Sequence, residues 1–152
     1  MKKNSLTILN KKASYNYELL ESYIAGICLK GTEIKSIKDS KVNLSSGFCV
    51  FRNNEIYIRG LQISEYTFGN INNHDPMREK KLLLNKNEIM KLKKNSEEKK
   101  LVIIPKKLFI NERGIAKLEI ALARGKKLFD KRESIKEKEI KRRLKKNIKT
   151  TL

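Results

Sequence analysis

The chain of 152 residues contains no tryptophan, one histidine, two cysteines and two prolines. Each scarcity closes a route. His74, Cys28 and Cys49 lie far apart and do not form a metal-ligand spacing. Two cysteines cannot frame a disulfide scaffold, so two reduced, buried thiols in a cytosolic protein are expected, with a disulfide left open by sequence. No apolar run approaches the roughly 20 residues of a membrane span. The first residues, Met1 to Leu9, are basic but carry no sustained apolar stretch, so they are not a secretory signal. A cytoplasmic location without a membrane partner follows. A glycine-rich phosphate loop of the Walker type is also missing. No cofactor, metal or catalytic residue is expected. The enzymatic alternative is an RNA-cleaving protein using His74 with Asp75 for acid–base chemistry. Against it, the two are sequence neighbours in a turn-forming run from Asn72 to Pro76.

Acidic residues are scarce as well, 17 against 36 Lys and Arg, giving a formal net charge of +19 and a pI of about 10.0. From Arg124 to Lys149 there are 13 basic and 4 acidic side chains, so the end of the chain carries about half of the excess. Self-repulsion of that size opposes a compact state unless a polyanion answers it. Nucleic acid is the natural polyanion, bound in part by release of condensed counterions. The bland reading is a lysine-rich soluble surface.

Three regions follow from composition: a flexible basic lead over 1–13, a β-rich body over 14–124 and a basic tail over 125–152. A short helix is expected over Asn16–Glu21 and a buried strand over Tyr23–Leu29. Thr32 is placed to cap a second helix, Glu33–Lys38. Phe48–Arg52 and Glu55–Arg59 flank Asn53-Asn54, which reads as a tight hairpin because asparagine tolerates positive φ. Residues 64–79 form a long polar connection of the kind that is functional or mobile. Lys80–Leu84 is a strand, and Asn85 caps a third helix carrying Ile89, Met90 and Leu92. Leu101–Ile104 and Leu108–Ile110 are strands separated by Pro105, which marks an edge or bulge. Asn111–Gly114 is a turn before the strand Ile115–Ala123.

About six strands and three short helices, joined by turns, favour a mainly β fold. The best fit is a closed antiparallel barrel of the oligonucleotide-binding kind. In the tail, Asp130 and Glu133 have capping-box spacing, and Ile140, Leu144 and Ile148 recur every fourth residue. An isolated helix of that length is marginal in water, so the tail is expected to be disordered when free and helical in an anionic groove.

Cationic pairs stand at element ends: Lys11-Lys12, Lys80-Lys81, Lys126-Lys127 and Lys131-Arg132. From there an ammonium or guanidinium reaches phosphate. Tyr15, Tyr17, Tyr57, Tyr66, Phe68 and Phe129 are candidates for stacking on unpaired bases, with core packing preferred for Tyr57.

Several runs then resemble one family. They are Asn10-Lys-Lys-Ala, Ala25-Gly-Ile, Gly31-Thr-Glu-Ile-Lys-Ser, Lys41-Val-Asn, Asp75-Pro-Met-Arg, Lys81-Leu-Leu-Leu-Asn, and Ala121 through Arg132. In this order they resemble the small protein B family, the SsrA-binding proteins that partner transfer-messenger RNA in bacteria. The resemblance implies an oligonucleotide-binding-type barrel and a binding rather than catalytic activity. It further implies that transfer-messenger RNA is held and brought to stalled ribosomes for trans-translation, the protein standing in for an anticodon stem while its tail senses the empty messenger channel. The implied RNA face is Asn10, Lys11, Gly26, Glu33, Lys35, Asn43, Arg78, Lys81, Leu83 and Lys117. The implied ribosome-sensing tail is Gly125, Lys126, Lys127, Phe129, Asp130, Lys131 and Arg132, meeting ribosomal RNA of the decoding region. A monomer is expected. Ile24 departs from the family's usual acidic residue, and Gln62 and Glu65 depart from its usual His and Pro. The alternative of another class is a structural ribosomal protein with a basic tail.

Overall fold

The computed structural model describes residues 6–126 and 138–142. The body is an antiparallel seven-stranded sheet built from β1 (Thr7–Leu9), β2 (Tyr17–Ile27), β4 (Phe48–Arg52), β5 (Glu55–Arg59), β7 (Lys80–Leu83), β8 (Val102–Ile110) and β9 (Ala116–Gly125). Its strand order is β1-β8-β9-β2-β7-β5-β4. A separate two-stranded sheet pairs β3 (Val42–Asn43) with β6 (Gln62–Ile63). The helices are α1 (Ala13–Asn16), α2 (Gly31–Lys38) and α3 (Lys86–Glu98), with a 3-10 turn at Asn70–Asn72 and a short helical run at 138–142.

Alternation sorts the strands into two faces. Ala25, Ile27, Ile56, Ile58, Leu82, Leu108, Leu118 and Ile120 point inward and are buried. Ile37 of α2 and Ile89 and Leu92 of α3 join the same core. Lys81 and Leu83 of β7, Lys117 and Glu119 of β9 and Ile24 and Gly26 of β2 lie on the opposite face, which creates the face considered below.

The expected closed barrel of about six strands is corrected. The sheet curls until β4 lies against β8, but no ladder joins them. Pro105 has no N–H to give at that seam, and β8 carries a bulge between Pro105 and Lys107. The edge of β8 over Lys107–Phe109 is taken by β1. Gly47 lies so near the proline ring that an added Cβ would stand 2.8 Å from Pro105 Cγ. A cavity of about 370 Å³, lined by Phe48, Cys49, Phe51 and Leu101 to Ile104 among others, runs along this seam.

Further differences are local. Residues 17–21, expected as helix, belong to β2, where Tyr17, Glu18 and Leu19 pair with Gly125, Arg124 and Ala123. Tyr17 and Leu19 pack on a small cluster of Ala13, Ile104 and Ala123, so tertiary pairing overrides a weak helical pattern. Residues 7–9, in the expected flexible lead, form β1. Both cysteines are free, but only Cys49 is withdrawn from solvent. Burial pushes its thiol well above the ordinary range. Cys28, just past the end of β2, is exposed, although its N–H still donates to Lys81 O at 3.0 Å.

The turns agree with the chemistry of their residues. Asn53 and Asn54 both adopt positive φ, 51° and 62°, as a two-residue hairpin of this hand requires. Asn85 Oδ1 accepts from Glu88 N at 3.0 Å and caps α3. Gly60 and Gly114 have φ of 72° and 77°, but their surroundings differ. A Cβ at Gly60 would stand 2.2 Å from Ser46 O, whereas Gly114 faces open space. Gly114→Ala should therefore cost about 1–2 kcal/mol, the left-handed backbone penalty alone. Gly60→Ala should cost clearly more. Urea unfolding of the two variants checks the ranking, and equal losses would contradict it.

Candidate nucleic-acid interface

Antiparallel register assembles the outer face. Lys117 of β9 faces Gly26 of β2, and Gly26 faces Leu83 of β7. The three form one row across adjacent strands. Leu83 leans over the glycine: a Cβ at Gly26 would meet Leu83 Cβ at 3.2 Å. Gly26 thus keeps the middle of the row low. Lys81, two residues from Leu83 on the same face, lies 3.7 Å from Glu55 Oε2 with much of its side chain exposed. Leu83 is 53% exposed and Ile24 58%. Ile24 stands opposite Glu119, whose carboxylate is answered by Lys107 at 3.6 Å and Lys106 at 3.9 Å. The departure at Ile24 therefore leaves an apolar side chain beside a carboxylate already occupied by lysines. Tyr57 also belongs to this face rather than to the core, beneath the Arg52 guanidinium at 4.5 Å.

A second group gathers at the start of α2. Glu33, the third residue of the helix, turns its carboxylate back to accept from Lys30 N at 2.7 Å. Arg78 donates to the same carboxylate through Nη2 at 2.6 Å and Nε at 3.3 Å, and to Cys28 O at 3.1 Å. Lys80 approaches Glu33 Oε2 at 3.8 Å. Its ammonium donates to Arg78 O at 2.6 Å and Leu61 O at 3.1 Å. Glu33 and Lys80 are both fully buried. Lys80, read from sequence as a phosphate-reaching lysine, is instead an interior one, because alternation in β7 sends it inward while Lys81 goes outward. Beside it, Glu79 links Arg52 and Arg59 on the hairpin, the latter at 2.6 Å.

A third group surrounds the N-terminal connection. Asn10, Lys11 and Asn43 line one shallow groove of about 300 Å³. Asn10 is partly committed: its Nδ2 donates to Pro105 O at 2.8 Å and Leu44 O at 3.4 Å. Asn43 Oδ1 accepts from Ser45 N and Oγ at 2.9 and 2.7 Å. Lys11 is exposed. Lys35, on the exposed side of α2, stands 5.4 Å from the Tyr66 ring.

Gly125 ends β9 opposite Tyr17, and Lys126 N donates to Asn16 O at 3.0 Å. Lys127, Phe129, Asp130, Lys131 and Arg132 lie outside the described residues. In the helical run at 138–142, Lys138 Nζ stands 5.7 Å from the Tyr15 ring.

His74 is buried, and both ring nitrogens are engaged, with Thr32 Oγ1 at 2.9 Å and Ile63 O at 2.8 Å. Because a carbonyl can only accept, Nε2 donates to Ile63 O, and Nδ1 pairs with the threonine hydroxyl. Asp75 Oδ1 accepts from Met77 N at 3.0 Å. His74 thus fastens residues 64–79 to α2 and β6, while the Asp75 bond stays within the segment. Among the described residues no group of three or more His, Cys, Asp and Glu could hold a metal.

The fold and this surface define a class, a small and strongly basic antiparallel β domain that presents lysines, amides and one exposed leucine around a low glycine row. The family model described as SmpB protein matches residues 7–150, and the chain belongs to that family. Its relatives include the SsrA-binding protein of Cytophaga hutchinsonii, 56% identical over 140 residues, covering 92% of each chain. That of Christiangramia forsetii is 51% identical over 142 residues, covering 93% of this chain and 90% of the relative. That of Thermosipho melanesiensis is 49% identical over 140 residues, covering 92% and 95%. A solved structure described as "tmRNA-SmpB: a journey to the center of the bacterial ribosome" superimposes with a TM-score of 0.69 at 45% identity, covering 80% of this chain and 85% of that one.

Burial holds the Lys80 ammonium below its ordinary pKa of 10.5, with Arg78 adding to the effect and Glu33 opposing it. Between the lowered value and 10.5 the unfolded chain keeps a proton that the folded chain has released, so stability rises with pH across that window. Lys80→Met removes this contribution. Wild type should therefore gain stability relative to the variant as pH rises through that window, measured by urea unfolding. Parallel pH profiles would contradict the assignment.

Proposed function

We propose that this chain binds transfer-messenger RNA and delivers it to stalled ribosomes for trans-translation. The observation that carries the reading is near-complete alignment, at about half identity, with proteins named for binding SsrA. The curled sheet serves as an oligonucleotide-binding-type body whose outer row Lys117–Gly26–Leu83 meets the RNA. Lys81 and Lys117 neutralise phosphate, and Leu83 gives apolar contact to a splayed base. Gly26 admits the RNA backbone closely.

Asn10, Lys11 and Asn43 extend the contact along the N-terminal groove, and Lys35 along α2. Glu33 acts through Arg78: its buried carboxylate has no surface for a ligand, but it aims the partly exposed guanidinium. The body takes the place of an anticodon stem. The segment from Gly125 onward, with Lys126, Lys127, Phe129, Asp130, Lys131 and Arg132, senses the empty messenger channel and becomes helical there. The protein works as a cytoplasmic monomer and as an adaptor rather than a catalyst. A permanently resident ribosomal protein would survive salt-washed purification of ribosomes, whereas an adaptor leaves after rescue.

Lys81→Ala or Lys117→Ala should weaken RNA binding and lower the slope of log affinity against log salt by roughly 0.7–0.9. An unmoved slope would mean that these lysines do not touch phosphate. Truncation after Gly125 should leave affinity for isolated transfer-messenger RNA within about threefold, under 1 kcal/mol, and abolish rescue in a reconstituted translation assay. Loss of RNA affinity on truncation would contradict the division of labour.

A further inference from the structure

Residues 64–79 expose apolar side chains on a fastened support. Phe68 is 77% exposed and Ile71 98%. Phe68 meets Tyr66 edge-on, with ring centroids 5.6 Å apart. The backbone beneath them is clamped. Asn73 accepts from Tyr66 N at 3.0 Å and donates to Tyr66 O at 2.6 Å, and Gly69 N donates to the same carbonyl at 3.0 Å. Asn73 sits against Gly69 so closely that a Cβ there would fall 2.5 Å from its Nδ2. The buried His74 then fixes the base of the loop to α2 and β6. Ordering a loop costs backbone entropy. Here that cost is met without covering Phe68 or Ile71, so they are held ready for something else.

The charges beside the tip identify its partner. Lys35 stands over Tyr66, Lys41 donates to Thr67 Oγ1 at 3.3 Å, and Lys38 is exposed one turn on from Lys35. None of these three lysines has an ion pair among the described residues. Glu33, the acidic residue nearest Lys35, is buried and held by Arg78, and among the described residues Asp39, Glu65 and Asp75 form no ion pair with these lysines. An apolar protein groove would accept Phe68 and Ile71 but would strand the ammonium groups. A stretch of unpaired RNA satisfies both, through stacking on the ring and phosphate at the lysines. Lys35 already belongs to the proposed RNA face, so the tip is continuous with it.

We propose that this tip is an additional contact for transfer-messenger RNA, with an unpaired base stacked on Phe68 and flanked by Ile71, and phosphates held by Lys35, Lys38 and Lys41. The inference rests on the RNA-binding reading above. The test is binding of the full chain to transfer-messenger RNA over a series of salt concentrations. Phe68→Ser with Ile71→Ser should weaken binding about 5- to 50-fold with an unchanged salt slope, since stacking releases no counterions. Lys35→Ala should lower the slope by about 0.7. Benzoylphenylalanine in place of Phe68 should crosslink to an unpaired nucleotide of the same RNA, a readout independent of the variants' folding.

Wild-type affinity in the double variant, or no crosslink, would overturn the proposal. So would a loss confined to ribosome binding, or a crosslink only to protein. Lys81→Ala in the same assay separates the two readings. If it weakens binding while the double variant does not, only the tip is refuted. If the full wild-type chain shows no preference for this RNA, the parent reading fails.

Discussion

The carboxylate of Glu33 has no exposed surface, yet three parts of the fold meet on it. It closes the first turn of α2 through Lys30 N, holds Arg78 by two hydrogen bonds, and offsets the charge of Lys80 inside β7. Withdrawing such ions from water costs several kcal/mol each, so the cluster is a poor way to gain stability. It fixes geometry instead. With the carboxylate in place, α2 is set against the end of the 64–79 connection, and Arg78 is aimed from the margin of the sheet. His74 makes the corresponding fastening at the middle of that connection, joining Thr32 to Ile63 O. The polar interior thus positions the surface on which the RNA reading depends.

The second constraint is the parity of the strands. A residue's face is decided by its place in the ladder, and a shift of one residue would reverse it. Parity puts Lys80 among the core residues and Lys81 outside. It also brings Lys117, Gly26 and Leu83 together from segments as far apart as β2 and β9. The row exists only because β2 lies between β7 and β9 in the sheet. The low glycine, the exposed leucine and the lysines on either side of it are then products of topology rather than of any one motif.

Much of this was legible where one residue dictates one local geometry. Asn53-Asn54 announced the hairpin, Asn85 the helix cap, Pro105 the bulge, and Asn111–Gly114 the turn. Resemblance supplied the candidate residues, but sequence could not say which of them face solvent. Glu33 and Lys11 look alike as charged letters, yet one is interior and the other exposed. Lys80 was misread for the same reason, since its burial depends on a carboxylate 47 positions earlier in the chain. The helix expected at 16–21 gave way to pairing with the far end of β9, a contact spanning about a hundred residues. Closure of the barrel failed at a seam where Pro105 withholds a donor. The connection at 64–79 reads in sequence only as a long polar segment, functional or mobile, because the hydrogen bonds of Asn73 and His74 that organise it leave no periodic trace.

The central claim is that this cationic sheet face is shaped for one structured RNA rather than for polyanions at large. The most direct measurement is to recover the protein from its own cells under mild salt and sequence the RNA that accompanies it. Strong enrichment of transfer-messenger RNA over its cellular abundance, lost when Gly26 is changed to a bulky residue such as Leu, is the predicted result. RNA recovered in proportion to abundance, with or without that change, would contradict the account.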